Sequence, residues 1–402
     1  MNPVFLPSTP KTPRTGRRRV CFPITSRAYY GRSQLLIRKL HEHPGIDLQL
    51  MLGGSILLDK YSPHIADDIE RSGFAISTSY FNVIEGGNHV AMAKTACLTA
   101  LEFTNGFHSI DPDIVVICGD RFEQLAIAMA AAYLNKTIAH IEGGDVTGSI
   151  DESVRHAITK LAHLHFVTNA DAERRVLAMG EEPRYVFNTG SLDLEVASQV
   201  TTELTNERVN SYGVGHAVDI TRPFLIVIQH PVTTETDNRA HLETTMRAIA
   251  DVDMPAIWFW PNADAGTGEM SESIRHFREH HEAITDKIRF ITNVPVDEFI
   301  ALLRRAACLA GNSSAGIKEC SYLGTPVVNI GGRQHGRLHG DHVMHAPYDA
   351  HAIASAIRAQ LRHGAYARSE VYYKPDASQT IVDLLTSIEL YTQKRFCDPQ
   401  CT

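Results

Sequence analysis

The chain has 402 residues, 44% hydrophobic and 21% charged, a globular balance that excludes a disordered, collagen-like or low-complexity protein. Lys and Arg number 38 against 46 Asp and Glu, so the net charge of −8 offers nucleic acid no global field, and any polyanion site must be local. No apolar run approaches the roughly 18 to 20 residues of a membrane helix, and the 7 scattered Cys form no C-x-x-C pair, which fits a reducing cytoplasm without disulfides or structural metal.

At about 150 residues per domain, the length suggests two to three domains. The first 20 residues hold Lys11, Arg14, Arg17, Arg18 and Arg19 among prolines, with no acid and no apolar segment behind them. Residues 1–18 therefore read as a flexible basic tail, not a secretory signal. Short β-branched runs then alternate with amphipathic stretches, the pattern of a parallel α/β sheet. Strands are expected at 20–24, 48–52, 113–118, 137–141, 166–169 and 185–189, and helices at 33–41, 122–134, from 151, and at 171–179. The stretch 196–222 is polar and weakly periodic and reads as a linker. A second series follows, with strands at 224–229, 256–260, 288–292 and 326–330 and helices near 240–250, 271–280, 296–307 and from 316. The expected organisation is two doubly wound domains, 19–195 and 223–375, then a C-terminal helix and tail over 376–402. Their working cleft should lie between them, at the carboxyl ends of the strands.

Chemistry-bearing residues gather at those ends. The apolar run DIVVIC is followed by Gly119-Asp120-Arg121, and the next strand ends in HIEGGD, so Asp120 and Glu142 reach one rim. Asp151 and Glu152 open the following helix, where they serve either as cap and first-turn acid or as a second carboxylate pair. Crowded, desolvated carboxylates split their pKa values, so one can donate a proton while another accepts. His163 and His165, beside the next strand, read as structural. In the second half, FLIVIQ ends in His230. The turn Gly311-Asn312-Ser313-Ser314-Ala315-Gly316 exposes backbone N–H groups and hydroxyls ahead of a helix, a phosphate signal. Glu319, one turn on, is placed to accept from two ribose hydroxyls. Arg333, Arg337 and His339 lie in a basic glycine-rich loop suited to a pyrophosphate, and Arg27, with Gly31 leaving room nearby, is a comparable candidate. Residues 260–266 end another strand and read equally as pocket wall or turn. Neither G-x-x-x-x-G-K-[ST] nor a convincing G-x-G-x-x-G is present, which argues against a P-loop NTPase and against the standard dinucleotide fingerprint.

Taken in order, TSRAYYG, CGDRFEQLA, HIEGGDVTGSIDESVRHAITKLAHLHF, IQHPVTTE, PNADAGTG, GNSSAGIKE and NIGGRQHGRLHG resemble the hydrolysing UDP-N-acetylglucosamine 2-epimerases, especially the branch that makes N-acetylmannosamine for sialic-acid synthesis. The resemblance spans about residues 20–375. It implies a GT-B-like pair of Rossmann-like domains with the UDP-sugar between them. It also implies loss of the proton on sugar carbon 2 as UDP leaves carbon 1, then hydration of the glycal to N-acetylmannosamine. On matching positions, Asp120, Glu142, Asp151 and Glu152 would be the acid/base set, and His230 would stabilise or protonate the departing phosphate. Arg121 would orient the sugar or the carboxylates. Asn312, Ser313, Ser314, Gly316, Arg27, Gly31, Arg333 and Arg337 would form the nucleotide site, with Glu319 on the ribose. The resemblance implies a homodimer or homotetramer; no metal or redox cofactor is needed because nothing is oxidised, charge and hydropathy lead us to expect no nucleic-acid or membrane partner, and the fused sugar kinase of animal relatives is expected to be absent. Gly31-Arg32 departs from relatives that carry a small polar residue followed by a basic one. Two other readings share the architecture. One is the same chemistry on a UDP-2,4-diacetamido-trideoxyhexose, against which HIEGG rather than HIHGG is a weak discriminator. The other is a GT-B glycosyltransferase, which needs an acceptor site and not several carboxylates. A catalytically inert nucleotide-sugar sensor is the reading from a different class.

Overall fold

The computed structural model describes residues 16–59, 65–261, 265–280 and 285–398. Most of the expected basic tail, and Asn262 to Asp264 of the expected pocket wall, lie outside the described residues. The first sheet is built from β1 (Arg18–Ile24), β2 (Ile46–Gly53), β3 (Ile76–Tyr80), β4 (Ile114–Cys118), β5 (Thr137–Ile141), β6 (Leu164–Val167) and β7 (Val186–Asn188). They are all parallel, in the order β3-β2-β1-β4-β5-β6-β7. The second holds β8 (Val214–Gly215), β9 (Leu225–Ile228), β10 (Ala256–Phe259), β11 (Ile288–Ile291), β12 (Cys308–Gly311), β13 (Val327–Ile330) and β14 (Val343–Ala346). Its order is β14-β13-β12-β9-β10-β11-β8, parallel except for β8 against β11.

Apart from the edge strand β8, each sheet begins at its centre, with β1 or β9, winds outward, and returns on the other side of that strand. The order therefore reverses between β1 and β4 and between β9 and β12, which opens a crevice at the carboxyl ends of those strands. Central strands such as IVVIC and LIVI are buried at every position, because helices cover both faces and no polar alternation is needed. Among the described residues, no helix is long and apolar enough to cross a membrane.

Three departures from expectation have physical causes. Residues 53–112, which suggested no element, hold β3, a helix Ile65–Arg71 and a 22-residue helix His89–Ile110. β3 is a half-exposed edge strand, and part of the long helix's inner face is made by Thr95 and Thr99, whose hydroxyls bond Ile84 N–H at 2.9 Å and Asn82 Nδ2 at 2.6 Å. Threonine there disguises a buried stripe as a polar one. The helix expected over 33–41 runs Arg27–Glu42, because Ser26 caps it and accepts from Tyr29 N–H at 3.4 Å. Residues 196–222, expected as a linker, instead carry the end of helix Leu192–Gln199, a helix Asn206–Asn210 and β8. Val200, Leu204, Val209, Val218 and Ile220 are buried with Phe224 and Ile226 in the rear core. These apolar anchors are too widely spaced to show a period.

The chain returns at its end to the first lobe. Helix Ala377–Ser387 inserts Ala377, Ile381, Val382 and Leu385 into the core formed by Val20, Phe22, Leu36 and Leu40. Truncating Ile381 to Ala should therefore lower stability by about 2–4 kcal/mol, read as a lower urea midpoint in the transition of the first lobe. An unchanged midpoint would show that the helix is only peripheral to that core.

Candidate active site

Between the two sheets lies a cavity of about 490 Å³, lined from both lobes. On the front side, Asp120 follows β4 on a turn that Tyr29 holds: the tyrosine oxygen accepts from the backbone N–H of Asp120 at 3.0 Å and of Arg121 at 2.9 Å. The chain passes so close that a Cβ on Gly119 would sit 2.6 Å from that oxygen, and Gly119 has φ +79°. Burial would raise the Asp120 carboxyl, but Arg155 and then Arg337 bring it below its ordinary value. Arg155, 1% exposed, donates to Asp120 and, at 2.8 Å, to the Asp145 carbonyl. Arg121 pairs with Glu123 at 3.2 Å.

Glu142 follows β5 in a left-handed backbone conformation, φ +70°, which costs a non-glycine residue energy and persists only where its surroundings hold it. Its N–H bonds the Phe166 carbonyl at 2.9 Å. Its carboxylate accepts from Arg32 Nη1 at 3.0 Å and from Lys318 Nζ, across the cleft, at 2.7 Å. Asp193 completes a ring, 3.1 Å from Arg32 Nε and 3.6 Å from Lys318 Nζ. Side-chain exposure is 17% for Arg32, 6% for Glu142, 5% for Asp193 and 1% for Lys318. Burial alone would raise Glu142, but Lys318 and Arg32 outweigh it and hold its carboxyl well below the usual range.

On the rear side, His230 follows β9. Asn312, after β12, brackets its backbone, accepting from His230 N–H at 2.7 Å and donating to its carbonyl at 2.9 Å. The Asn312 carbonyl accepts from Arg333 Nη1 at 3.1 Å and Gln334 Nε2 at 2.8 Å. Arg337 reaches Asp145 of the front lobe at 3.3 Å, and Gly148 N–H bonds the Arg333 carbonyl at 3.0 Å, so the two lobes meet through these loops. The helix expected from Gly316 is broken into two short pieces, Ser314–Ile317 and Glu319–Leu323, on either side of Lys318. A four-residue turn carries little dipole, so the Ser313 and Ser314 hydroxyls, backbone N–H groups and nearby cations must supply most of any anion affinity. Burial, then Asp193, pushes the Glu319 carboxyl up to about 7, and its buried Oε2 meets no hydrogen-bond donor among the described residues.

Of the residues singled out in the sequence, Asp120, Arg121, Glu142, Asp151, His230, Arg27, Gly31, Ser313, Ser314, Glu319, Arg333 and Arg337 line this one cavity. Three do not. Glu152 turns away to accept from Thr147 N–H at 2.6 Å and so braces the loop before its helix. Asn312 is fully buried and acts through His230 and Arg333. Gly316 packs against the sheet, where a Cβ would meet Val327 at 3.0 Å. The space beside Gly31 is taken by Val296 of the rear lobe, 3.4 Å from where a Cβ would stand. Asp151 accepts from Ser149 Oγ at 3.0 Å and lies 3.7 Å from Arg333 Nη2. Tyr29, Arg32, Arg155, Asp193 and Lys318 were not assigned to the site from sequence. The available signal was a charge inside an apolar segment, as in Ile317-Lys318-Glu319-Cys320 and Leu192-Asp193-Leu194.

The family model of UDP-N-acetylglucosamine 2-epimerase matches residues 38–386. The chain belongs to this family. It is 31% identical over 377 residues to a UDP-N,N'-diacetylbacillosamine 2-epimerase (hydrolyzing) of Legionella pneumophila, covering 94% of this chain and 97% of the relative. It is 29% identical over 384 residues to a UDP-N-acetylglucosamine 2-epimerase of Neisseria meningitidis serogroup B, covering 93% and 97%. In fold it is similar to the UDP-GlcNAc 2-epimerase of Neisseria meningitidis bound to UDP-GlcNAc, with a TM-score of 0.74 at 14% identity over 91% of this chain and 99% of that one. The enzyme from Methanocaldococcus jannaschii in complex with UDP-GlcNAc and UDP gives 0.73 at 18% identity, over 92% and 99%. The fold is thus the GT-B-like architecture of the epimerase family.

Within this family member, the Arg155 and Asp120 pair is open to a double-mutant cycle. Arg155→Met should destabilise the protein more in the wild-type background than in Asp120→Asn, with a coupling on the order of 0.5–3 kcal/mol in urea unfolding. Strictly additive effects would show that Arg155 does not hold the carboxylate.

Proposed function

We propose that the protein is a hydrolysing UDP-N-acetylglucosamine 2-epimerase that converts its substrate and water into UDP and N-acetylmannosamine. One observation carries this reading: Asp120, Glu142 and Asp151 face Ser313, Ser314, Arg333 and Glu319 across a single cavity, whose volume of about 490 Å³ suits a nucleotide-sugar. A sugar C–H is a very weak acid, so its removal needs an oriented base together with stabilisation of the leaving group. In the first step a carboxylate takes the proton from carbon 2, its electron pair forms the carbon 1–carbon 2 double bond, and the carbon 1–oxygen bond breaks to release UDP. In the second, water adds to carbon 1 while a proton returns to carbon 2 from the opposite face. The front carboxylates are the acid/base set for both steps. His230 serves the departing phosphate, Ser313, Ser314, Arg27 and Arg333 hold the diphosphate, and Glu319 accepts from the ribose hydroxyls.

The substrate name of the Legionella relative supports a second reading, the same reaction on a UDP-2,4-diacetamido-trideoxyhexose. A panel of UDP-amino sugars separates the two. With UDP-N-acetylglucosamine in deuterated water, free UDP and N-acetylmannosamine labelled at carbon 2 are expected. UDP-N-acetylmannosamine as sole product would replace hydrolysis by simple epimerisation, and turnover of the diacetamido sugar alone would select the second reading.

Glu142→Gln should lower turnover by about a hundredfold or more while UDP still binds. Unchanged turnover would remove Glu142 from the chemistry. Because Glu319 sits near 7 and must be ionised to accept both hydroxyls, UDP should bind more tightly as pH rises through that value. Relative to Glu319→Gln, affinity should rise by about tenfold between pH 6 and 8. Parallel pH profiles for the two proteins would take Glu319 off the ribose.

A further inference from the structure

The ionic ring between the lobes presents a conflict that the proposed reaction must resolve. A carboxylate saturated by two buried cations is a poor base, since proton transfer is fastest when the acceptor's affinity for protons lies near the working pH. Glu142 is in that condition here, with Arg32 at 3.0 Å and Lys318 at 2.7 Å. Both cations also line the cavity that holds Ser313, Ser314 and Arg27. Lys318 follows directly on the broken turn that begins at Ser314, so a diphosphate seated there meets the same ammonium.

We propose that Lys318 is a positioning residue that clamps Glu142 in a resting ion pair and releases it when the diphosphate of the substrate takes over the ammonium. The exchange rests on the diphosphate cradle described under the proposed function. Its driving force is electrostatic. A diphosphate brings more negative charge than one carboxylate, and in a water-poor crevice a cation cannot serve both fully. Asp193 stays beside Lys318 and Arg32 throughout, so neither cation is left without an anion when Glu142 lets go. The strained backbone of Glu142 suits a residue held in place by its partners.

The groups that bear on Glu142 come from every element around it: Arg32, Cys118, Asp120, Asp193, Lys318 and Arg337, with the Tyr372 hydroxyl farther off. In the free protein Lys318 and Arg32 keep the carboxyl ionised against burial. Once they turn to the diphosphate, burial and the new anion both favour its protonated form, so its proton affinity must rise.

The test reads that rise in two ways. Calorimetric titration with UDP at about pH 5, in buffers of different ionisation enthalpy, should show the wild-type protein taking up a fraction of a proton more per UDP than Glu142→Gln, since the proton released by Glu319 is common to both. In the pH profiles of UDP-N-acetylglucosamine hydrolysis, taken in a Glu319→Gln background so that the ribose carboxylate does not titrate, the acid limb of kcat should lie about one pH unit or more above that of kcat/KM, because the first reports the complex and the second the free enzyme. Lys318→Met should close this gap by raising the kcat/KM limb, and Lys318→Arg should keep it. UDP binding without Glu142-dependent uptake, or a gap unmoved in Lys318→Met, overturns the exchange and leaves the proposed function standing. If Lys318→Met does not fold, the Glu142-dependent part of the proton uptake decides alone. Absence of UDP binding overturns the proposed function, and the exchange with it.

Discussion

Two carboxylates and two cations shut away from water between two lobes constrain everything else in this molecule. Removing any one of Arg32, Glu142, Asp193 or Lys318 leaves a buried charge without its complement, which is far more costly than the net worth of the intact set. The ring therefore requires the lobes to meet in one arrangement. That arrangement also brings Arg337 to Asp145 and Gly148 to Arg333.

Around this lock, the functional residues are held through their backbones by their neighbours' side chains. Asn312 grips both polar atoms of the His230 main chain, and Tyr29 accepts from two successive N–H groups at Asp120 and Arg121. Such support comes from groups with no chemical role of their own. It fixes direction at the end of a strand, where the chain would otherwise be free to turn.

Much of this was legible in the sequence for one reason: a doubly wound sheet delivers its working residues to the carboxyl ends of its strands. Apolar runs followed by Asp120, Glu142 and His230 announced themselves in that way. The ring did not, because Lys318 and Glu142 are 176 residues apart and a charge neutralised at that distance leaves no local pattern. That Glu152 and Asn312 stand behind the cavity wall was hidden for the opposite reason, since a polar residue beside a site looks the same in sequence whether it faces the ligand or braces a loop. In the fold, the periodicity of buried strands was easy to read. The threonine-lined helix His89–Ile110 and the scattered anchors of 196–222 were not, because their burial is completed by hydrogen bonds and by partners elsewhere in the chain.

The return of helix Ala377–Ser387 to the front lobe bears on the order in which the molecule assembles at the ribosome. The rear core draws on residues 194–372 and can close as soon as they emerge. The front core, although made of strands that precede the rear lobe, waits for Ala377, Ile381, Val382 and Leu385 before Val20, Leu36 and Leu40 are fully covered. Nascent chains of this protein must therefore carry an exposed apolar face until residues 377–385 emerge, and of these two lobes the one translated first is finished last.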